Sequence, residues 1–213
     1  MLRWMEIYWL GHGCFRLRGK EATVLTDPCP PTTGYRIGKV NADIVTISTG
    51  HADSNYRQAV QGDAKVISGP GEYEIAGVLI TGVRTDHDLE GNRNVAYVFD
   101  IDDVRICHLG SPTTLPTGDD VEILASADVL IVPVGGGREM DAEKAAEAVS
   151  LLEPKIVIPM KYKTDASTGE MDPVEKFLRE IGAEAKAAEQ RLSVTKSNIP
   201  HDRSIVLLNY RGG

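Results

Sequence analysis

The sequence predicts an α/β protein of the α+β type: a four-layer αββα sandwich of two mixed β-sheets with outer helices. Short apolar or alternating runs broken by turn residues fill the first half, whereas strands alternate with amphipathic helices in the second half. The length of 213 residues suits one large domain. Because no linker or low-complexity stretch divides the chain, we expect residues 1–213 to form a single domain.

The first half predicts strands of a meander, followed by a buried strand. The predicted strands are residues 6–10, 14–17, 22–26, 42–48, 65–68, 73–75, 78–83, 95–101 and 104–109. A proline-rich segment from Asp27 to Pro31 should end regular structure and lead into a surface loop up to about Lys39. Residues 55–60 are predicted to form a short helix.

The second half predicts three helices between strands. The helices are residues 119–125, residues 141–152 and a segment that opens at Asp172-Pro173 and runs to about Ile181. Asp141 is expected to cap the second helix, and Pro154 to end it. The strands are residues 129–134, 156–160, 192–195 and 204–208.

Composition limits the partners and the compartment. The net charge of −8 offers no overall attraction to nucleic acid or anionic lipid, and the longest apolar runs are too short to span a bilayer. Three cysteines without paired spacing argue against a disulfide framework. We therefore expect a cytoplasmic protein whose partner is a small molecule or another protein, with a homo-oligomer as an open alternative.

Polar residues follow four of the predicted buried strands. They lie in residues 49–55, 86–88, 107–111 and 161–163. Open α/β sheets place their sites beyond the carboxyl ends of strands. This coincidence predicts one functional cleft at that edge. The glycine run 135–137 also ends a strand, and Arg138 beside it raises the alternative of an anion contact in the same cleft.

Seven segments, in order, resemble one known family. They are residues 9–17 (WLGHGCFRL), 25–28 (LTDP), 42–48 (ADIVTIS), 67–75 (ISGPGEYEI), 106–110 (ICHLG), 132–136 (VPVGG) and 154–160 (PKIVIPM). Together they resemble the metallo-β-lactamase fold superfamily, in particular its branch of Zn- or Mn-dependent hydrolases that includes ascorbate-6-phosphate lactonase-like proteins. The resemblance implies an αββα fold with a metal site at one edge.

The resemblance also implies a set of metal ligands, of which this chain keeps a part. The family uses a His-x-His-x-Asp-His loop, a distant histidine, an aspartate after the CHLG-type strand and a histidine after the IPM-type strand. His51 and Asp53 stand at matching positions in the loop, and His87 stands where the distant histidine is expected. In the family such imidazoles and carboxylates bind metal ions that activate water.

Other positions of the pattern carry residues that are poor metal ligands. Thr49 and Ser54 replace two histidines of the loop, Ser111 replaces the bridging aspartate, and Lys161 replaces the final histidine. Hydroxyls compete poorly with imidazole for zinc, and a charged ammonium has no lone pair. If the fold matches the family, Lys161 should place a positive charge near Asp53. His12, between two glycines, is expected to line the cleft or to make a structural hydrogen bond.

These replacements predict a protein that has lost most of the family's metal ligands. We expect a non-catalytic protein that binds a ligand or partner in the old cleft, without a cofactor. The alternative is a lactonase or phosphodiesterase with a single Zn or Mn ion on His51 and His87, in which Asp53 acts as the base.

Overall fold

The computed structural model describes residues 4–87, 93–125 and 127–211, except for the side chains of Asp86 and His87. In chain order, its strands and helices are β1 (Met5–Gly11), β2 (Cys14–Arg18), β3 (Thr23–Thr26), β4 (Val40–Asn41), β5 (Ile44–Thr46), β6 (Val60–Gln61), β7 (Lys65–Ile67), β8 (Gly71–Ile75), β9 (Val78–His87), β10 (Arg93–Ile101), β11 (Val104–His108), α1 (Asp119–Leu124), β12 (Val129–Pro133), α2 (Ala142–Leu152), β13 (Ile156–Met160), α3 (Val174–Glu180), β14 (Leu192–Val194) and β15 (Ser204–Ile205). Short 3-10 turns cover Pro31–Thr33, Ala52–Ser54 and Arg57–Ala59.

Two mixed sheets form the body of the protein. One has six strands in the order β14-β1-β2-β3-β5-β7, and the other has seven in the order β15-β13-β12-β11-β10-β9-β8. Strands β3, β5 and β7 run parallel in the first sheet. Strands β11, β12, β13 and β15 run parallel in the second. The predicted α/β class with two mixed sheets is therefore confirmed.

The six-stranded sheet buries both of its faces because its side chains alternate between two cores. In β1, Ile7 and Trp9 belong to the core between the sheets, whereas Tyr8 and Leu10 point to a second core on the outer side. This double burial explains why β1 and β5 are almost continuously apolar.

The two outer layers differ in construction. Helices α2 and α3 pack against each other, and α2 also contacts β12. Outside the six-stranded sheet, the second core is closed by the segment after β3, which buries Cys29, Tyr35 and Ile37. The predicted surface loop up to Lys39 is thus wrong for these residues, because their apolar side chains fill a core. Among the described residues, no α-helix belongs to this core.

Most predicted element bounds agree with the structure, and two local predictions have a clear outcome. The Asp141 cap is confirmed, because its Oδ1 accepts a hydrogen bond from Lys144 N at 3.0 Å. The predicted helix over residues 55–60 is wrong, since only a single 3-10 turn forms there, followed by β6. The amide of Ala59 donates to Tyr56 O, three residues back, and Val60 then pairs with Val40 of β4, so the chain leaves the turn as a strand.

In the described part of the chain, no helix is both long enough and apolar enough to cross a membrane.

Candidate functional site

The candidate site lies where the carboxyl ends of parallel strands from both sheets meet. Asp27 follows β3, and the segment from Ser48 to Ser54 follows β5. In the other sheet, Ser111 follows β11 and Lys161 follows β13 directly. The segment after β12 supplies Gly135 to Glu139. Parallel pairing places these ends on one edge, which is why residues far apart in sequence meet there.

Lys161 is the buried centre of this site. Its side chain is 0% exposed, and its Nζ donates hydrogen bonds to Ser111 Oγ and to Glu139 Oε1, the latter at 3.0 Å. Burial alone would lower the pKa of Lys161, but the carboxylates of Glu139, Asp27 and Asp53 outweigh burial and hold the pKa above its ordinary value. The side chain is therefore a fixed ammonium.

Asp27 supplies one of the charges that face this ammonium. Its Oδ1 accepts from Ser48 N at 2.7 Å, and its Oδ2 accepts from Ser48 Oγ at 2.5 Å. Burial raises the pKa of Asp27 to about 6, although Lys161 and the Ser48 hydrogen bonds oppose the shift. Asp27 thus orients the start of the segment after β5 and remains mostly ionised at neutral pH.

Arg138 joins the two retained ligand-type residues of the loop after β5. Its Nη1 donates to His51 Nδ1 at 3.1 Å, and its Nη2 donates to Asp53 Oδ2 at 3.0 Å. Burial would raise the pKa of Asp53, but His12, Lys161 and Arg138 together hold it well below its usual range. Asp53 is therefore an anion whose charge is balanced by the chain's own cations.

Two polar atoms at this site are buried without a hydrogen-bond partner among the described residues. They are His12 Nε2 and Thr49 Oγ1. His12 Nε2 lies 3.7 Å from Asp53 Oδ2, and the His12 side chain is 10% exposed. Buried polar atoms without a partner are rare in native proteins, so these two atoms are candidates for contacting a bound molecule.

Two further predicted site residues, Ser54 and Ser111, also lie at this edge. Ser54 is fully buried and donates to Asp53 Oδ1 at 3.2 Å. The backbone of Ser111 is fixed by a hydrogen bond that its amide donates to Asn94 Oδ1 at 2.7 Å. His87 is the last residue of β9, and its side chain lies outside the described residues, so its predicted role stays a prediction.

An open cleft of about 440 Å³ lies in front of this cluster. Its walls come from the 3-10 turn after β3, from the loop between β12 and α2, and from the loop between β13 and α3. The lining residues are His12, Thr32, Thr33, Asp53, Gly136, Gly137, Arg138, Glu139, Thr168, Gly169, Glu170 and Met171. The lining carries both donors and acceptors and no aromatic side chain, which suits a small polar ligand.

The side chains that the structure describes at this edge do not fit the metal centre of the family. Among the described residues, no group of three His, Cys, Asp or Glu side chains is placed to hold a metal ion. The buried Nζ of Lys161 lies among the carboxylates, and Arg138 holds His51 and Asp53. Neither cation can act as a ligand.

The charges around Lys161 disfavour a nucleophilic pair with Ser111. A lysine base must lose its proton to activate a hydroxyl. Here the neighbouring carboxylates raise the pKa of Lys161, and Ser111 is only 4% exposed. The contact between the two side chains therefore serves to bind the ammonium.

Sequence reasoning missed two residues of this cluster, Asp27 and Glu139. Asp27 could have been found, because it directly follows a buried strand, as the predicted site residues do. Glu139 gave no signal of its own, since it stands in a loop among other charged and glycine residues. Arg138 was predicted to contact an anion in the cleft, and in the structure it contacts the carboxylate of Asp53.

Comparison with known proteins gives a consistent result. The profile of the family described as "Beta-lactamase superfamily domain" matches residues 6–161. A UPF0173 protein of Pyrococcus furiosus is 29% identical over 201 residues, which cover 83% of this chain and 90% of that protein. A UPF0173 metal-dependent hydrolase of Thermoplasma volcanium is 30% identical over 198 residues, covering 75% and 84% of the two chains.

A solved structure agrees over nearly the whole length. It is the crystal structure of a Thermotoga maritima protein assigned to the Zn-dependent hydrolases of the metallo-beta-lactamase superfamily, with a TM-score of 0.81 and 35% identity. The match covers 97% of this chain and 100% of that one. With the two sheets, the strand-edge cleft and the profile match in agreement, this chain belongs to the metallo-β-lactamase superfamily as a homologue of its metal-dependent hydrolases.

Proposed function

We propose that this protein binds a small polar molecule in the old hydrolase cleft and does not use the metal chemistry of its family. The observation that carries the proposal is Lys161, a fully buried ammonium that follows β13, where the family pattern expects a histidine ligand. A metal ion near this position would face a fixed positive charge at short range, an interaction of several kcal/mol even at an effective dielectric of about 20.

The charges of the cluster support the same proposal. The carboxylates of Asp27, Asp53 and Glu139 interact with the positive charges of Lys161 and Arg138. These counter-charges are side chains of the protein itself. A buried carboxylate needs a counter-charge, and here the protein supplies that charge without a cofactor.

The test is the metal content of tag-free protein purified without chelator or added metal. We expect far less than one Zn, Mn or Fe per chain by inductively coupled plasma mass spectrometry. The proposal would be overturned if the protein contained about one metal ion per chain and if removal of that ion abolished a hydrolytic activity on lactone or phosphodiester substrates.

A gain-of-ligand variant tests the assigned positions. Lys161→His combined with Ser111→Asp, Ser54→His and Thr49→His restores the family pattern, and we expect it to bind metal stoichiometrically. Lys163→His, at an exposed neighbouring position, is the control and should bind none. A restored variant that stays metal-free would mean that these positions do not surround a metal site.

The second candidate function is a hydrolase with a single metal ion. The names of the relatives favour it, since the Thermoplasma volcanium and Thermotoga maritima proteins are described as metal- or Zn-dependent hydrolases. His51 and His87 would then bind the ion, with Asp53 as the base. In that case the purified protein contains metal, and either His51→Ala or His87→Ala removes it.

The wider setting follows from charge and composition. We propose that the protein is cytoplasmic and that its ligand is a small molecule or a protein segment. Light scattering on the same preparations tests whether the protein forms a homo-oligomer. A net charge of −8 disfavours nucleic acid as the partner.

A further inference from the structure

Arginine side chains gather on the outer side of the six-stranded sheet, at the end of β1 remote from the cleft. The register of β1 and β2 places Glu6 opposite Arg18 and Tyr8 opposite Arg16. Tyr8 points to the outer side of the sheet, so these alternating neighbours share that side. Later segments of the chain add two arginines. We define the arginine face as Glu6, Tyr8, Arg16, Arg18, Arg191 and Arg211.

A single carboxylate, that of Glu6, serves this face. Its Oε1 accepts from Arg191 Nε at 3.0 Å, and its Oε2 accepts from Tyr8 OH at 2.9 Å and lies 3.6 Å from Arg18 Nη1. Four arginines and one glutamate give the face a local charge of +3, although the whole chain has a net charge of −8. Positive charges this close repel one another, so the face favours an anion.

Arg16 and Arg211 are cations without a counter-charge among the described residues. Their guanidinium carbons lie 4.4 and 4.6 Å from the centre of the Tyr8 ring. In residues 4–87, 93–125 and 127–211, neither side chain forms an ion pair, and Arg16 Nε is buried without a hydrogen-bond partner. The ring stabilises and orients the two guanidinium groups, but it leaves their N–H donors available to an added acceptor.

The range of these charges favours a small anion over a long polyanion. A face of +3 in a chain of −8 means that the rest of the chain carries −11. Charges act over only about 8 Å at physiological ionic strength, so a small anion interacts mainly with the arginines. A long polyanion would also meet the acidic remainder. The planar guanidinium matches phosphate oxygens in pairs, and a phosphate monoester carries about two negative charges.

An exposed tryptophan lies beside these arginines. Trp4 is 53% exposed, and it lines a surface depression of about 530 Å³ together with Arg18 and Arg191. Lys20 also lines the depression but pairs with Glu21 at 2.9 Å. An exposed indole offers a flat surface on which a ring of the ligand can stack.

We propose that the arginine face binds the phosphate groups of a small molecule, and that Trp4 stacks on a flat ring attached to them, as in a nucleoside diphosphate. Six residues of β1 separate Glu6 from His12 in the cleft, a distance of roughly 20 Å along an extended strand. The site is therefore separate from the cleft and does not depend on the function proposed for it.

The experiment is isothermal titration calorimetry of tag-free protein with pyrophosphate and with ADP, in low salt and without divalent metal. We expect one pyrophosphate per chain, and tighter binding of ADP that quenches the fluorescence of Trp4. Arg16→Gln and Arg211→Gln should each weaken both ligands about tenfold, because each removes charged donors to phosphate. Glu6→Gln should tighten both, since it removes the competing carboxylate. Trp4→Leu should reduce ADP affinity to that of pyrophosphate.

Two further variants separate this site from other arginines. Arg179→Gln, the same change at the exposed end of α3, should bind as the native protein does. Arg138→Gln, in the cleft, should also leave pyrophosphate binding unchanged. Arg18→Gln, whose side chain is 62% exposed, should weaken binding and decides the matter if the Arg16 and Arg211 variants are not folded by far-UV circular dichroism.

The proposal is overturned if neither pyrophosphate nor ADP binds at millimolar concentration. It is also overturned if binding is lost in Arg138→Gln but kept in the variants of the arginine face, because the anion would then occupy the cleft. ADP that binds no more tightly than pyrophosphate would contradict the stacking on Trp4.

Discussion

A buried lysine is rare in proteins unless its charge is matched, and Lys161 shows how this site matches it. Its ammonium is hydrogen-bonded to Ser111 and Glu139 and interacts with Asp27 and Asp53. The stem packs on backbone that has no side chain, because a Cβ at Gly13 would lie 2.9 Å from Lys161 Cε. Glycine at position 13 therefore makes room for the cation.

Removal of this ammonium should strongly destabilise the fold. Lys161→Met keeps much of the volume but leaves buried carboxylates without their counter-charge, so we expect a loss of about 3–5 kcal/mol in the free energy of unfolding. Urea denaturation measures it. Lys163→Met, at an exposed position, should change stability by less than about 0.5 kcal/mol; equal effects of the two variants would contradict the role of the buried charge.

Asp27 should give the protein a recognisable pH dependence. Its folded pKa of about 6 lies above the ordinary value of 3.8, so the folded state holds the proton more tightly than the unfolded state. The contribution of Asp27 to stability is therefore fully present below about pH 4 and is lost as pH rises through about 6. The shift of about two pKa units corresponds to roughly 3 kcal/mol.

The Asp27→Asn variant isolates the pH-dependent contribution of this carboxyl group to the free energy of unfolding. Asparagine accepts the positive φ of 37° at this position. The stability of the variant relative to the native protein should rise by up to about 3 kcal/mol between pH 4 and pH 7. Chemical denaturation at both pH values measures the difference. A difference that is independent of pH would refute the assignment.

At the scale of the elements, helix α2 follows its sequence signals closely, whereas the segment after β5 does not. Asp141 caps α2, and the apolar stripe of the helix faces the sheet. Residues 55–60 have a helix-like composition, yet Val60 pairs with Val40 of β4, twenty residues earlier in the chain. Strand pairing between separate segments thus overrides the local propensity.

The end of α2 carries strain that a substitution can relieve. Glu153 occupies the cap position with a φ of 50°, a left-handed conformation that disfavours side chains. Glu153→Gly should raise the free energy of unfolding by about 1 kcal/mol. Glu147→Gly, the same change at an exposed position inside α2, should lower it by a similar amount. Thermal unfolding measures both, and changes of equal sign would refute this account.

At the scale of the whole molecule, the cleft is the meeting point of two sheets. Arg138 and Asp53 are separated by 85 residues, and Lys161 and Ser111 by 50. Each pair joins segments that follow different parallel strands. The stability of the domain and the charge balance of the cleft are therefore coupled.

If the chain supplies its own cations, divalent metals should not contribute to the stability of the native protein. We expect the melting temperature to stay within about 1 °C when EDTA or an equimolar amount of Zn²⁺ or Mn²⁺ is added, because only an ion that binds the folded state raises it. Differential scanning calorimetry on tag-free protein provides the measurement. A fall of several degrees with EDTA would indicate a metal that stabilises the fold.

The fold class, most of the strands and helices, and the edge of the sheets at which polar residues gather could all be predicted from the order of the amino acids. Periodicity, turn residues and the Asp141 cap are local signals, so they can be found without a structure. Asp27 shows the limit of this approach, because its position after a strand was visible but its partner was not.

Which charges meet could be seen only in the folded chain. The neighbours of Lys161 come from separate loops, and Glu139 carries no local signal that links it to this lysine. The reason is physical: the energy of a charge depends on its distances to other charges and on its burial, and folding alone sets both. The residue types at the ligand positions could be read from the chain, but the assembled cations, Lys161 and Arg138, became evident only in three dimensions.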